Sequence, residues 1–144
     1  MQWTYLSKTL SKVEVEVNNI LAQIVDFNIM FEMDGKNVNT YICYGDDKTW
    51  SLDLASGMER FISSLAIRIA LTSISNLPRS NFIAIDEGWG TLDSENLNSV
   101  SQLFQYLKNI FKFSLVISHI DTMRDFTDQL LEIKIEDEYS KVNF

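Results

Sequence analysis

Leu6, Leu10, Val13, Val17, Ile20 and Ile24 are spaced alternately four and three residues apart, with Lys8, Lys12, Glu14 and Glu16 between them. This spacing predicts a helix over residues 1–25 with an a/d heptad seam, the pattern of a coiled coil. Three heptads is the shortest run that counts, and an amphipathic helix laid on a globular core gives the same spacing, so both readings stand. The seam begins almost at Met1, as if a longer coiled coil had been cut.

From Asp26 the period changes to two. Phe27, Ile29, Phe31 and Met33 alternate with polar residues, Asp34-Gly35 supplies a hairpin turn, and Val38, Thr40 and Ile42 continue the alternation. A further strand is predicted over Lys48 to Leu54, after the Gly45-Asp46-Asp47 turn, giving a β-meander. Beyond Ser56 the pattern becomes α/β. A helix is predicted over Met58 to Ser75, carrying Phe61, Leu65, Ile69 and Ile74 and stopped near Pro78. Asn81 to Ile85 is a nearly continuous apolar run of the kind a buried parallel strand shows. A second helix, capped by Ser94 and reaching Asn109, leads to a second buried strand, Phe113 to Ile117. A short helix around Asp121 to Thr127 and strands at Leu131 to Ile135 and Tyr139 to Phe144 complete the pattern.

With 144 residues and 46% apolar content, the chain can bury one core and is too short for two ordinary domains plus a linker. No apolar run reaches the roughly 20 residues of a membrane-spanning helix, and the N-terminus is too polar for a signal peptide. An intracellular protein, cytoplasmic or nucleoid-associated and without a membrane partner, is expected. The single cysteine, Cys43, allows no internal disulfide and reads as a small strand residue. A net charge of −8 argues against this chain wrapping nucleic acid by itself, so any DNA groove must be local or supplied by a partner.

The chemistry concentrates in Ile83-Ala84-Ile85-Asp86-Glu87-Gly88-Trp89-Gly90-Thr91-Leu92-Asp93. An apolar strand that ends in two carboxylates places both at the carboxyl edge of a sheet, where α/β proteins build ligand sites. One carboxylate can help hold Mg²⁺ while its neighbour orients and deprotonates a water for attack on a phosphoryl group. A strand end followed by an acidic turn is common, and context decides between the two. Upstream, Ser56-Gly57-Met58-Glu59 opens a helix whose free N–H groups suit a terminal phosphate, although such a pair also serves as an ordinary N-cap. Downstream, His119 follows the second apolar strand, where a satisfied polar residue would be unremarked alone.

In this order and at these separations, the segments resemble the second half of an ATP-binding cassette. Ser56-Gly57-Met58-Glu59 is similar to the signature motif, Ile83 to Glu87 to the Walker B strand, Gly90-Thr91-Leu92-Asp93 to the D-loop, and His119 to the switch histidine. Within the superfamily, Asp86 to Asp93 is close to the Asp-Glu-Gly-Phe-Gly-Thr-Leu-Asp form of SbcC-like exonuclease ATPases. Gly88 and Glu59 stand where transport cassettes usually have Pro and Gln, which favours the repair and SMC side. The resemblance implies an α/β fold, the C-terminal lobe of an ABC-type P-loop ATPase head over residues 26–144, entered by a β-meander and an N-terminal coiled-coil stub over residues 1–25.

The resemblance also implies roles. Asp86 would assist Mg²⁺ binding, Glu87 would be the general base and His119 would contact the γ-phosphate of ATP. Ser56, Gly57, Met58 and Glu59 would reach across a dimer to ATP held by a second ATPase head, with Asp93 at that interface. Arg60 and Arg68 match arginines that couple ATP state to coiled-coil position, and a pair of solvated arginines fits them equally. The implied partners are the N-terminal half of the same ATPase, a second head, DNA and an SbcD-like nuclease, with the heads regulating DNA end processing or repair. An SMC- or RecF-like head in chromosome organisation, and a non-catalytic module that binds a cassette partner, are the competing readings. Two departures stand out. Met58 occupies the place of the second signature glycine, and no G-x-x-x-x-G-K-S/T loop occurs in the chain, so the phosphate cradle would have to come from elsewhere.

Overall fold

A computed structural model describes residues 2–76, 78–86, 88–90, 96–136 and 138–143, with side chains described from residue 7 onward. The first helix, α1 (Gln2–Leu21), turns Val13, Val17 and Ile20 into the core, and Ile24 follows them from the turn beyond its end. Leu21, outside the heptad spacing, is buried as well, and Leu10 is half-buried. The last turns of the seam therefore pack on the globular core.

The meander is antiparallel, in the order β1 (Asn28–Asp34), β2 (Asn37–Tyr44), β3 (Lys48–Ser51). Asp34 pairs with Asn37 across a two-residue loop, and Gly35 takes φ +58 at its first position, where an L side chain would be strained. The third strand ends at Ser51, three residues earlier than its apolar pattern suggests. There the Ser51 hydroxyl accepts the Asp53 N–H at 3.3 Å and starts a 3-10 turn over Leu52–Leu54. The outer edge of β1 is closed by α1. Asn18 donates to the Ile29 carbonyl at 2.9 Å and accepts the Ile29 N–H at 2.8 Å, while Glu14 accepts the Phe31 N–H at 2.7 Å. Helix side chains thus take the place of a neighbouring strand.

The second helix, α2 (Gly57–Ile74), buries Met58, Ile62, Leu65, Ala66, Ile69 and Ala70, the three-and-four spacing of one helical face. It packs against α1. After it come β4 (Phe82–Asp86), α3 (Leu97–Ile110) and β5 (Phe113–Ile117), a βαβ unit in which β4 and β5 pair in parallel. Asn96 is the residue that caps α3, whereas the expected cap, Ser94, lies outside the described residues. A six-residue 3-10 turn over Asp121–Phe126 replaces the expected short helix, and β6 (Glu132–Glu136) and β7 (Tyr139–Asn143) form an antiparallel hairpin.

The core gathers Val17, Leu21, Ile29, Ile42, Ile62 and Leu103 from α1, the meander, α2 and α3. β4 and β5, which the sequence reads as buried parallel strands, are covered only on the face carrying Ile83, Ile85 and Val116. On the other face Phe82 and Phe113 are each 59% exposed and stand directly opposite one another, with Leu115 and Ile117 exposed along the same row. Parallel strands of this apolar composition are commonly covered on both sides, and here one side is covered by the chain.

Candidate functional site

The N-terminus of α2 is built by three side chains. The Ser56 hydroxyl accepts the Glu59 N–H at 3.3 Å, and the Glu59 carboxylate returns to accept the Ser56 N–H at 2.7 Å, a reciprocal capping box. The other Glu59 oxygen accepts the Tyr44 hydroxyl at 2.7 Å. Burial works against ionisation of Glu59, but the hydrogen bonds from Tyr44 and Ser56 outweigh it and hold the carboxyl below its ordinary value. Burial, with the Glu59 charge beside it, pushes the Tyr44 phenol well above its ordinary range. The N–H groups of Gly57 and Met58, in the first helical turn, have no acceptor within the helix.

Met58 bears directly on one departure noted in the sequence. Its side chain is 4% exposed and belongs to the core, so what this position offers a ligand is main chain, as glycine would. Both oxygens of Glu59 are engaged within the chain, one by the Tyr44 hydroxyl and the other by the Ser56 N–H.

A second group lies at the carboxyl edge of β4 and β5. Asp86 ends β4, exposed and paired in register with Ile117, and His119 stands exposed two residues beyond. Glu87 and Asp93 lie outside the described residues. Gly88 has φ +96, and a Cβ there would lie 2.6 Å from Phe61 Cδ2, so the chain can make this turn only with glycine. Trp89 is 1% exposed, set edge-on to Phe61 at 4.8 Å and against Phe104 at 5.5 Å. Gly88, Trp89, Gly90, Ser118, His119 and Ile120 line an open hollow of about 70 Å³, and the buried Trp89 indole N–H has no hydrogen-bond partner among the described residues. Ser118 shapes the turn by accepting the Ile120 N–H at 3.1 Å.

The predicted residues thus fall into two groups beside different hollows. Tyr44, Met58 and Glu59 border a shallow cleft with Asp26, Asn96 and Ser99, whereas His119 borders the smaller hollow at the strand ends. Among the described residues, no three His, Cys, Asp or Glu side chains gather as a metal site, and Asp86 is the described carboxylate at the strand edge. Two contributors escaped sequence reasoning. Tyr44 carried no sequence signal of its own, and Phe61 read as one apolar position of a helix. The Ser-x-x-Glu spacing from Ser56 was the signal available for the capping box.

No protein-family model matches the chain. It is 37% identical to uncharacterized protein R555 of Acanthamoeba polyphaga mimivirus over 158 aligned residues, covering 99% of this chain and 12% of that protein. It is 31% identical over 102 residues to the SbcC component of the SbcCD nuclease of Staphylococcus aureus strain JH9, covering 68% of this chain and 10% of that one. The chain therefore spans about a tenth of the length of either relative. Its fold matches a solved structure from a study of ATP-driven dimerization and DNA-stimulated activation of SMC ATPases. There the TM-score is 0.76 at 18% identity, covering 97% of this chain and 87% of that one. The SMC head domain from Thermotoga maritima matches with a TM-score of 0.65 at 22% identity, covering 99% of this chain and 50% of that one. No helix among the described residues is long and apolar enough to cross a membrane. The chain belongs to the SMC/SbcC-like ATP-binding-cassette ATPases and has the fold of the C-terminal lobe of such a head.

Proposed function

We propose that this chain supplies one half of each of two composite ATP sites, and that the assembled heads use ATP-driven pairing to regulate DNA end processing. The observation that carries this reading is the separation of the two groups. The helix N-terminus, whose Met58 and Glu59 border one hollow, and the strand edge, whose His119 borders another, stand apart on one lobe, as they must if each serves a different nucleotide. The open face of β4 and β5 supports a missing N-terminal half that brings the phosphate-cradling loop and covers Phe82 and Phe113. The 31% identity to an SbcC protein supports DNA repair with an SbcD-like nuclease over chromosome organisation. Residues 1–25 would then be the end of a coiled coil and residues 26–144 the lobe itself. The net charge of −8 leaves DNA contacts to other segments.

In this reading Asp86 helps to hold Mg²⁺, and its exposed carboxylate at the strand end suits that task. Bound there with the nucleotide, Mg²⁺ supplies neutralisation of charge on the β- and γ-phosphates. Glu87 orients the attacking water and accepts its proton, and His119 donates to the γ-phosphate. Ser56, with the N–H groups of Gly57 and Met58, caps the γ-phosphate held by the opposite head, and Asp93 lies along the seam between heads.

The test is a head reconstituted from this chain and a lobe carrying the Walker A loop. Glu87→Gln keeps shape and hydrogen-bonding reach but removes the proton acceptor, so ATP hydrolysis should slow by roughly 10²-fold or more. The variant should accumulate as an ATP-bound dimer, visible as a doubling of mass in light scattering, and Ser56→Arg should abolish that dimer. Hydrolysis by Glu87→Gln at the parent rate would remove the central assignment.

A further inference from the structure

We propose that Tyr44 is a positioning residue for Ser56, fixing the phosphate-facing end of α2 to the β-meander on which α1 is seated. The inference rests on the reading of Ser56 given above and adds a residue to it.

A capping box is complete with its serine and glutamate. Here a third group has joined it, since the Tyr44 hydroxyl meets one Glu59 oxygen at 2.7 Å while the other oxygen holds the Ser56 N–H at 2.7 Å. Tyr44 is half-buried, within reach of water, so its hydroxyl has no need of a protein acceptor. The direction of the phenol is set from both sides. Its ring stacks on Trp50 at 5.4 Å and meets Phe27 at 5.4 Å, so the hydroxyl is aimed by β3 and by the turn before β1. A short charge-assisted bond from a ring held in this way fixes a carboxylate in space, and Glu59 passes that position to Ser56.

The meander is in turn fastened to α1. Asn18 makes two hydrogen bonds to Ile29 and Glu14 makes one to Phe31, both on the edge of β1, and β1 pairs with β2 along its whole length up to Asn28 opposite Cys43. From Asn18 to Ser56 the chain of contacts runs through hydrogen bonds and stacked rings without a gap. Tilting α1 on the lobe would therefore carry Tyr44, and with it the helix end that must meet the opposite nucleotide.

Tyr44→Phe keeps both ring contacts and deletes the hydroxyl. Tyr41→Phe, elsewhere on β2 and hydrogen-bonded to Glu32, is the control. In the reconstituted head, Tyr44→Phe should weaken ATP-dependent head pairing about tenfold, the effect of one hydrogen bond to a charged group. ATP affinity of the single head should be nearly unchanged, the melting temperature should fall by no more than the loss of this one partly exposed hydrogen bond, and Tyr41→Phe should pair like the parent. Pairing of Tyr44→Phe at parent affinity would overturn the proposal, whereas a parent head that never pairs on ATP would overturn the proposed function instead. The second readout needs no nucleotide. In the 144-residue chain the Ser56 amide resonance should titrate with the Glu59 carboxylate that it contacts. Its midpoint should rise in Tyr44→Phe, because a bond that favours the charged form is gone. A midpoint left in place would show that the hydroxyl does not hold Glu59 in solution, and the proposal would fail even if the heads pair.

Discussion

The two groups that make up the candidate site are finished to different degrees. At the N-terminus of α2, Ser56, Glu59 and Tyr44 satisfy one another, Met58 is sunk in the core, and aromatic rings back the arrangement. At β4 and β5, one face is packed and the other presents Phe82, Phe113, Leu115 and Ile117 to water. The first region carries its geometry in its own residues. The second leaves bare an apolar face of the kind that another layer covers in parallel sheets. The difference teaches where to look for dependence on a partner: in the strands, and not in the helix cap.

The sharpest way to break the comparison is at Gly88, where the two regions touch. The turn after β4 passes over the Phe61 ring of α2 with φ +96, and Phe61 is held in turn by Trp89. Gly88→Ala would combine a strained backbone with a clash against the Phe61 ring, which Trp89 backs, at a cost of about 2–4 kcal/mol. Denaturant unfolding of the chain should show this loss in full. A loss below about 0.5 kcal/mol, the range of ordinary surface changes, would mean that α2 and the strand edge are not rigidly joined.

Much of this was legible in the sequence, for reasons that differ by region. The heptad spacing ending at Ile24, the period-two run from Phe27 and the Asp-Gly hairpin mark α1 and the meander, because local periodicity reports which faces are buried. The apolar runs at β4 and β5 mark the strands, but their composition does not say which of the two faces this chain itself covers. Tyr44 was illegible because nothing local distinguishes a strand tyrosine that will meet a carboxylate 15 residues away from one that will not. The turn at Gly88 was flagged by resemblance alone, and its physical reason, the Phe61 ring, is a tertiary contact.

The open face can be tested without touching the cap. Phe113→Thr keeps a strand-favouring residue but removes the ring, and because Phe113 is 59% exposed, the melting of the chain alone should move little. Binding of the Walker A lobe, followed by calorimetry, should weaken by about 1–2 kcal/mol, roughly tenfold, since an aromatic anchor is lost from a dry contact. If the lobe binds the variant as tightly as the parent, Phe113 is not under the missing layer and the contrast between the two regions loses its basis.

The smallest effect sharpens the contrast from the other side, because a cap that is complete within the chain should have its own pH signature in the absence of any partner. The Glu59 carboxyl sits below its ordinary value of 4.5 because the bonds from Tyr44 and Ser56 outweigh the opposing effect of burial. A carboxyl whose folded value is depressed stabilises the fold fully above its unfolded value, and that contribution disappears as pH falls through the lower folded value. Tyr44 does not limit the upper end, since its phenol is held protonated beyond its ordinary range and remains a donor throughout. The stability gap between the parent and Glu59→Ala should therefore be constant from about pH 5 to 8 and should narrow below about pH 4. Its size should be at most about 1 kcal/mol, the usual worth of a capping side chain, because the carboxylate is partly open to screening water. Urea titrations of both proteins across this range measure it directly. A gap that widened in acid would mean that Glu59 is held in its neutral form, and the hydrogen bonds assigned to it would have to run the other way.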